Sequence, residues 1–71
     1  MATVESEVTA SVWKIERSVG DTVSVGDTIM ILESMKMEIP VDAEISGIIS
    51  SIAVAEGDAV DEGQLLAEIG E

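Results

Sequence analysis

The sequence predicts an all-β fold: a flattened barrel-sandwich of two four-stranded antiparallel sheets with an internal quasi-two-fold repeat. Three observations predict it. Val and Ile together number 18 against only 3 Leu, and β-branched side chains suit a pleated, half-buried surface better than a helix. No segment sustains an i, i+3, i+4 apolar stripe of helical length; short apolar runs alternate with turn signals instead. Residues 2–34 align with residues 39–71 at a constant offset of 37, without a gap. Seven pairs in that register are identical: Val4 with Val41, Glu7 with Glu44, Ile15 with Ile52, and four from Gly20-Asp21-x-Val23-x-x-Gly26 against Gly57-Asp58-x-Val60-x-x-Gly63. Conservative pairs fill the gaps, among them Val8 with Ile45, Val12 with Ile49, Ile29 with Leu66 and Leu32 with Ile69. A glycine pair repeated at one offset marks backbone positions that other residues fit poorly.

The elements follow in order. Strands are expected at 3–8, 11–17, 22–24, 29–33, 38–43, 48–54, 59–61 and 65–69, four in each half. Val12 to Ile15 and Ile49 to Ile52 are spaced by three before the period of two resumes at Val54, which implies a β-bulge in each half. Gly20-Asp21 and Gly57-Asp58 are turn dipeptides, with Gly free to take a positive φ and Asp free to bond its own turn. Gly26 and Gly63 end the next short strand in the same way. Pro40 cannot donate a ladder hydrogen bond, so it belongs at an edge or a strand start. The whole chain, 1–71, reads as a single domain with repeats 2–34 and 39–71. The junction between the repeats, Met35-Lys36-Met37-Glu38, is expected at the tip of a central hairpin, with both termini at the opposite end.

Composition narrows the function. A chain of 71 residues buries only about 60% of its unfolded surface and has no room for a catalytic cleft with its own supporting shell. It has no Cys and no His, hence no disulfide, no thiolate metal site and none of the commonest general bases. No nucleophile–base pair can be assembled, which argues against an enzyme. Fifteen acids against Lys14, Arg17 and Lys36 give a formal charge of −12, the wrong sign for nucleic acid or an anionic membrane. The acidic surface reads as a solubility device and as a docking surface for basic partners. Asp58, Asp61 and Glu62 lack the spacing of a calcium loop, so no metal is expected. The N-terminus has neither a basic region nor a long apolar run, so no signal peptide or membrane span is expected and a cytoplasmic protein is the default. Trp13 is the only aromatic; it reads as a packing residue, and its repeat partner is Ser50.

Lys36 lies in Glu33-Ser34-Met35-Lys36-Met37-Glu38. An exposed lysine in a turn is ordinarily a solvated charge and methionines are ordinarily core filler. Here the tripeptide falls on the symmetry junction of a whole-chain repeat, and two apolar side chains at an exposed tip suggest a surface read by partners. On an alternating hairpin Met35 and Met37 are expected on the same side of the strand plane.

The chain resembles the biotinyl (biotin/lipoyl attachment) domain family. Glu33-Ser34-Met35-Lys36-Met37 is similar to that family's attachment motif, Glu-Ala/Ser-Met-Lys-Met, and the two Gly-Asp-x-Val-x-x-Gly segments are similar to its two turn motifs. The likeness covers essentially the whole chain. Ser34 stands where the family more often has Ala. The resemblance implies a non-catalytic biotin carboxyl carrier with biotin bound covalently to Lys36. It would shuttle carboxylate between the biotin carboxylase and carboxyltransferase subunits of a biotin-dependent, acyl-CoA type carboxylase. It implies modification by a biotin protein ligase, which reads Met35, Met37, Glu33 and Ser34 around the lysine. Glu33 and Glu38 guide the ligase on one reading and are plain hydrophilic flanks on the other. Gly20, Gly26, Gly57 and Gly63 are structural turn residues on any reading. Without a Pro/Ala-rich linker the chain looks free-standing and is expected to be a monomer when isolated. Two alternatives stay open: a lipoyl carrier, although the Asp-Lys-Ala typical of lipoyl domains is missing, and an unmodified β-barrel adaptor.

Overall fold

A computed structural model describes residues 2–70. Eight strands run in order: β1 (Ala2–Glu5), β2 (Ala10–Ile15), β3 (Thr22–Val23), β4 (Thr28–Ser34), β5 (Met37–Asp42), β6 (Gly47–Ile52), β7 (Ala59–Val60) and β8 (Leu65–Gly70). They form two antiparallel sheets, ordered β1-β8-β6-β3 and β5-β4-β2-β7. The offset of 37 carries β2 onto β6 and β3 onto β7 residue for residue. It also converts the strand order of one sheet into that of the other, so each sheet holds strands from both halves. The halves are therefore interlocked. The body measures 33 × 17 × 17 Å, and among the described residues no helix is long and apolar enough to cross a membrane.

The core is assembled from the inward positions of both sheets. Val12, Ile29, Met30 and Leu32 of the first half meet Ile49, Leu66, Ala67 and Ile69 of the second, all essentially fully buried. Burial of the Val, Ile, Leu and Met side chains among them contributes about 1.5–3 kcal/mol each. The expected bulges are present: register slips between Val12 and Lys14 against β4, and between Ile49 and Ser51 against β8. Each slip lets two consecutive residues oppose one, so Trp13 and Ser50 are the extra residues. Trp13 is 49% exposed and stands outside the core. The packing role expected of it is therefore not the one it has, because the bulge turns it outward.

Four turns repeat one construction. The Asp21, Asp27 and Asp58 carboxylates accept the backbone N–H of Ser18, Ser24 and Ala55, and the Gln64 amide oxygen accepts that of Asp61. The preceding glycines, Gly20, Gly26, Gly57 and Gly63, have φ of 96°, 93°, 94° and 86°, the left-handed region that costs Gly little. Each glycine N–H is used across the fold. Gly26 donates to the Ala43 carbonyl at 2.9 Å and Gly63 to the Ser6 carbonyl at 2.7 Å, which pins each turn to the opposite half.

Strand ends differ from expectation where side chains or carbonyls capture the backbone. The strand expected over 3–8 stops at Glu5. Ser6 then donates its hydroxyl to the Val8 carbonyl at 2.6 Å, and its own N–H is taken by the Gln64 carbonyl, so the strand gives way to a bend over 7–9. The strand expected over 11–17 stops at Ile15 because Glu16 and Arg17 both donate to the single Ile29 carbonyl.

Candidate functional site

The β4–β5 hairpin carries the site. Its ladder runs Leu32↔Ile39, Glu33↔Glu38 and Ser34↔Met37, leaving Met35 and Lys36 as the two central residues of the loop. Both have positive φ, 52° and 66°. That is the signature of a type I′ turn, whose twist matches the flanking strands and whose usual residues are Asn and Gly. Here it is made by Met and Lys, at about 1–2 kcal/mol per residue for an L side chain in the left-handed region. Nothing in the residue types announces this conformation. The strain is held by a seven-residue strand on one side and a six-residue strand on the other.

The turn settles where the neighbouring side chains stand. Met35 is 93% exposed and Met37 65% exposed. Met37 lies in β5 opposite Ser34, whereas Met35 lies in the turn itself, so strand alternation does not relate the two. The Ser34 hydroxyl donates to the Thr9 carbonyl at 3.3 Å, tying the end of the hairpin to the β1–β2 connection; an alanine there could not. Glu33 and Glu38 are exposed.

Lys36 is exposed and makes no ion pair among the described residues, while Lys14 pairs with Glu16 at 3.8 Å. Two surface depressions, one between β1 and β5 and one beside Arg17, include no residue of 33–38. The arrangement presents an exposed amine on a hairpin tip. A group joined to Lys36 would project from this chain into another molecule's site. The residues fit a covalently borne cofactor: an accessible primary amine, a rigid base beneath it and apolar shoulders beside it. No group of three or more potential metal-ligating side chains exists among the described residues.

The comparisons agree with that geometry. Residues 1–69 match the family model described as biotin-requiring enzyme. The chain is 47% identical over 66 residues to the biotinylated protein TB7.3 homolog of Mycobacterium leprae, covering 93% of each. It is 44% identical over 66 residues to the biotin-dependent acyl-coenzyme A carboxylase alpha3 subunit of the same organism, covering 93% of this chain but 11% of that one. Its fold superposes on Kluyveromyces lactis urea carboxylase with a TM-score of 0.92 and 40% identity, over 97% of this chain and 6% of that one. An all-β body of two interlocked four-stranded sheets, a projecting lysine hairpin and these matches have one reading: the chain belongs to the biotin/lipoyl attachment family, as a non-catalytic carrier domain with biotin as its cofactor.

Proposed function

We propose that Lys36 is the biotin attachment site and that the domain is a biotin carboxyl carrier of a biotin-dependent carboxylase acting on an acyl-CoA. The observation that carries the reading is the placement of Lys36 as the second central residue of an exposed, strained two-residue turn. Attachment is amide formation. The Lys36 Nζ attacks an activated carboxyl carbon, the C–N bond forms, the activating group leaves with its bonding pair, and the amine gives up a proton. The hairpin supplies reach and a fixed starting direction, and the lysine stem becomes part of a longer arm. When bound, biotin supplies a ureido nitrogen able to accept and release a carboxyl group. The chain's own contribution is to hold that arm at high effective concentration beside each active site it visits.

Met35 and Met37 give a biotin protein ligase, then the carboxylase and carboxyltransferase subunits, an apolar surface beside the lysine. The acyl-CoA part of the reading is supported by the identity to the acyl-coenzyme A carboxylase subunit. The reading makes the isolated domain a monomer and places it in the cytoplasm with its ligase.

The test is intact mass after coexpression with a biotin ligase. One biotinoyl addition is expected, and Lys36→Ala abolishes it. A lipoyl increment, modification at Lys14, or an unmodified wild type would overturn the proposal.

A further inference from the structure

β1 is the outer strand of one sheet and β5 the outer strand of the other. Among the described residues no ladder and no turn hydrogen bond joins them, and a groove of about 440 Å³ opens between them. Its floor is apolar, formed by Val8, Leu32, Ile39 and Val41, and all but Leu32 are partly exposed. Its rim carries four exposed carboxylates, Glu5, Glu7, Asp42 and Glu44, and no Lys or Arg lines it. The walls are repeat equivalents: Glu5 faces the role of Asp42, and Glu7 that of Glu44, each 37 residues apart. The groove therefore lies on the pseudo-two-fold axis, with the same chemistry on both sides.

We propose that this groove is a docking site for an extended segment of a partner protein in which basic residues alternate with apolar ones. The alternation follows from strand geometry. Successive side chains of an extended segment point to opposite sides, so one set fills the floor while Lys or Arg meets the carboxylates. The free edge of β1 offers unpaired N–H and C=O groups for such a strand. β5 is a poorer edge because Pro40 has no N–H to offer. It serves as a wall.

A second copy of this chain is the wrong occupant. Each copy carries a charge of −12, and its three cations, Lys14, Arg17 and Lys36, contain no pair spaced by two. The floor residue Ile39 is three residues beyond Lys36 along β5, about 10 Å of strand. A partner held in the groove thus has the hairpin tip within reach. Docking in the groove is independent of the chemistry at Lys36.

The experiment uses the full chain, labelled with nitrogen-15, titrated with a short synthetic peptide alternating Lys and Val and with a matched peptide alternating Lys and Ser. Amide shifts are expected to concentrate in residues 3–8 and 39–44, with the Lys/Val peptide binding at least about tenfold tighter, a difference readily resolved in Kd. The double variant Glu7→Gln, Glu44→Gln should weaken binding severalfold, while Glu56→Gln, whose carboxylate accepts the Ile15 N–H on the far side of β4 and β2 from β5, leaves it unchanged. The fold of each variant is read from the same spectra. Equal affinity for the two peptides, shifts spread equally over residues 54–58, or no binding would overturn the proposal. Groove shifts that grow with protein concentration alone would overturn it too, in favour of a second copy.

Discussion

Glu33 and Glu38 stand directly opposite each other across the β4–β5 ladder, one step below the turn that carries Lys36. Cross-strand pairs alternate between hydrogen-bonded and non-bonded types. Counting from the bonded pair Ser34↔Met37 that closes the tight turn, Glu33↔Glu38 is non-bonded, the type in which side chains come closest. Two carboxylates are therefore set against each other where an opposite-charge pair would stabilise. The same count makes Ile31↔Pro40 non-bonded, so the missing proline N–H is not lost from the β4 ladder.

Relief of that repulsion should be measurable. Glu38→Gln is expected to stabilise the domain by about 0.2–1 kcal/mol, raising Tm by a few degrees in a chain of this size. The gain should shrink in about 1 M salt, where exposed charges are screened within roughly 3 Å. If the pair also guides the ligase, the same variant is biotinylated more slowly. Thermal melts at low and high salt check the first part, and a loss of stability on neutralisation would refute it.

Two kinds of glycine should respond differently to substitution. At Gly26 and Gly63 an added Cβ meets nothing within 4 Å, and the demand is the positive φ alone. Gly→Val at either should cost about 1–3 kcal/mol through backbone strain, with similar losses at the two equivalent sites. Gly26→Asn should cost less, since Asn tolerates the left-handed region. At Gly47 the demand is spatial: a Cβ there would collide with the Gly70 carbonyl oxygen and lie 2.9 Å from Ile69 Cγ2. Asn should therefore bring no relief at Gly47. Paired melts of the Asn and Val variants separate the two causes.

The contrast shows which physics a sequence displays. The repeat at offset 37 displays the four turn glycines because the same backbone demand occurs twice in each half. Gly47 pairs with Ala10 in the repeat, and the collision it avoids is with a strand 23 residues away, so nothing local marks it. The bulges are legible because they shift the apolar period. Their effect on Trp13 is not, since a bulge residue's direction depends on the partner strand. At the hairpin, the repeat junction locates the turn, but the left-handed backbone at Met35 and Lys36 runs against the preference of both residues. It is imposed by strands that pair on either side.

Met35 and Met37 are exposed enough that trimming them should leave the core untouched. Met35→Ala and Met37→Ala are expected to melt within about 0.5 kcal/mol of wild type, as surface substitutions do. The loss should appear in partner reactions. Ligation of the apo domain, turnover with the fully biotinylated variant, or both should slow, since an apolar contact removed from a recognition surface weakens docking. Measuring the two rates separately assigns each methionine to the ligase or to the carboxylase subunits. Normal rates combined with much lower melting would make both methionines structural.

The strained turn leads to an opposition between stability and function at single positions. Met35→Asn replaces a residue that resists φ of 52° with one that accepts it, and should raise stability by up to about 1–2 kcal/mol. At Lys36 two substitutions divide chemistry from backbone. Lys36→Ala removes the amine but keeps a Cβ at φ of 66°, so modification is lost and Tm stays near wild type. Lys36→Gly also loses modification, but it relieves the left-handed strain and should melt about 1 kcal/mol above the alanine variant. Gly also gains entropy in the unfolded chain, which offsets part of that relief. The comparison is therefore made between the two variants rather than with wild type. Equal melting of Lys36→Ala and Lys36→Gly would show that the strain at the lysine is no larger than the entropy Gly gains in the unfolded chain. A higher Tm for glycine would show that the hairpin keeps a destabilising residue where a better turn former would fit, as a site held for its amine requires.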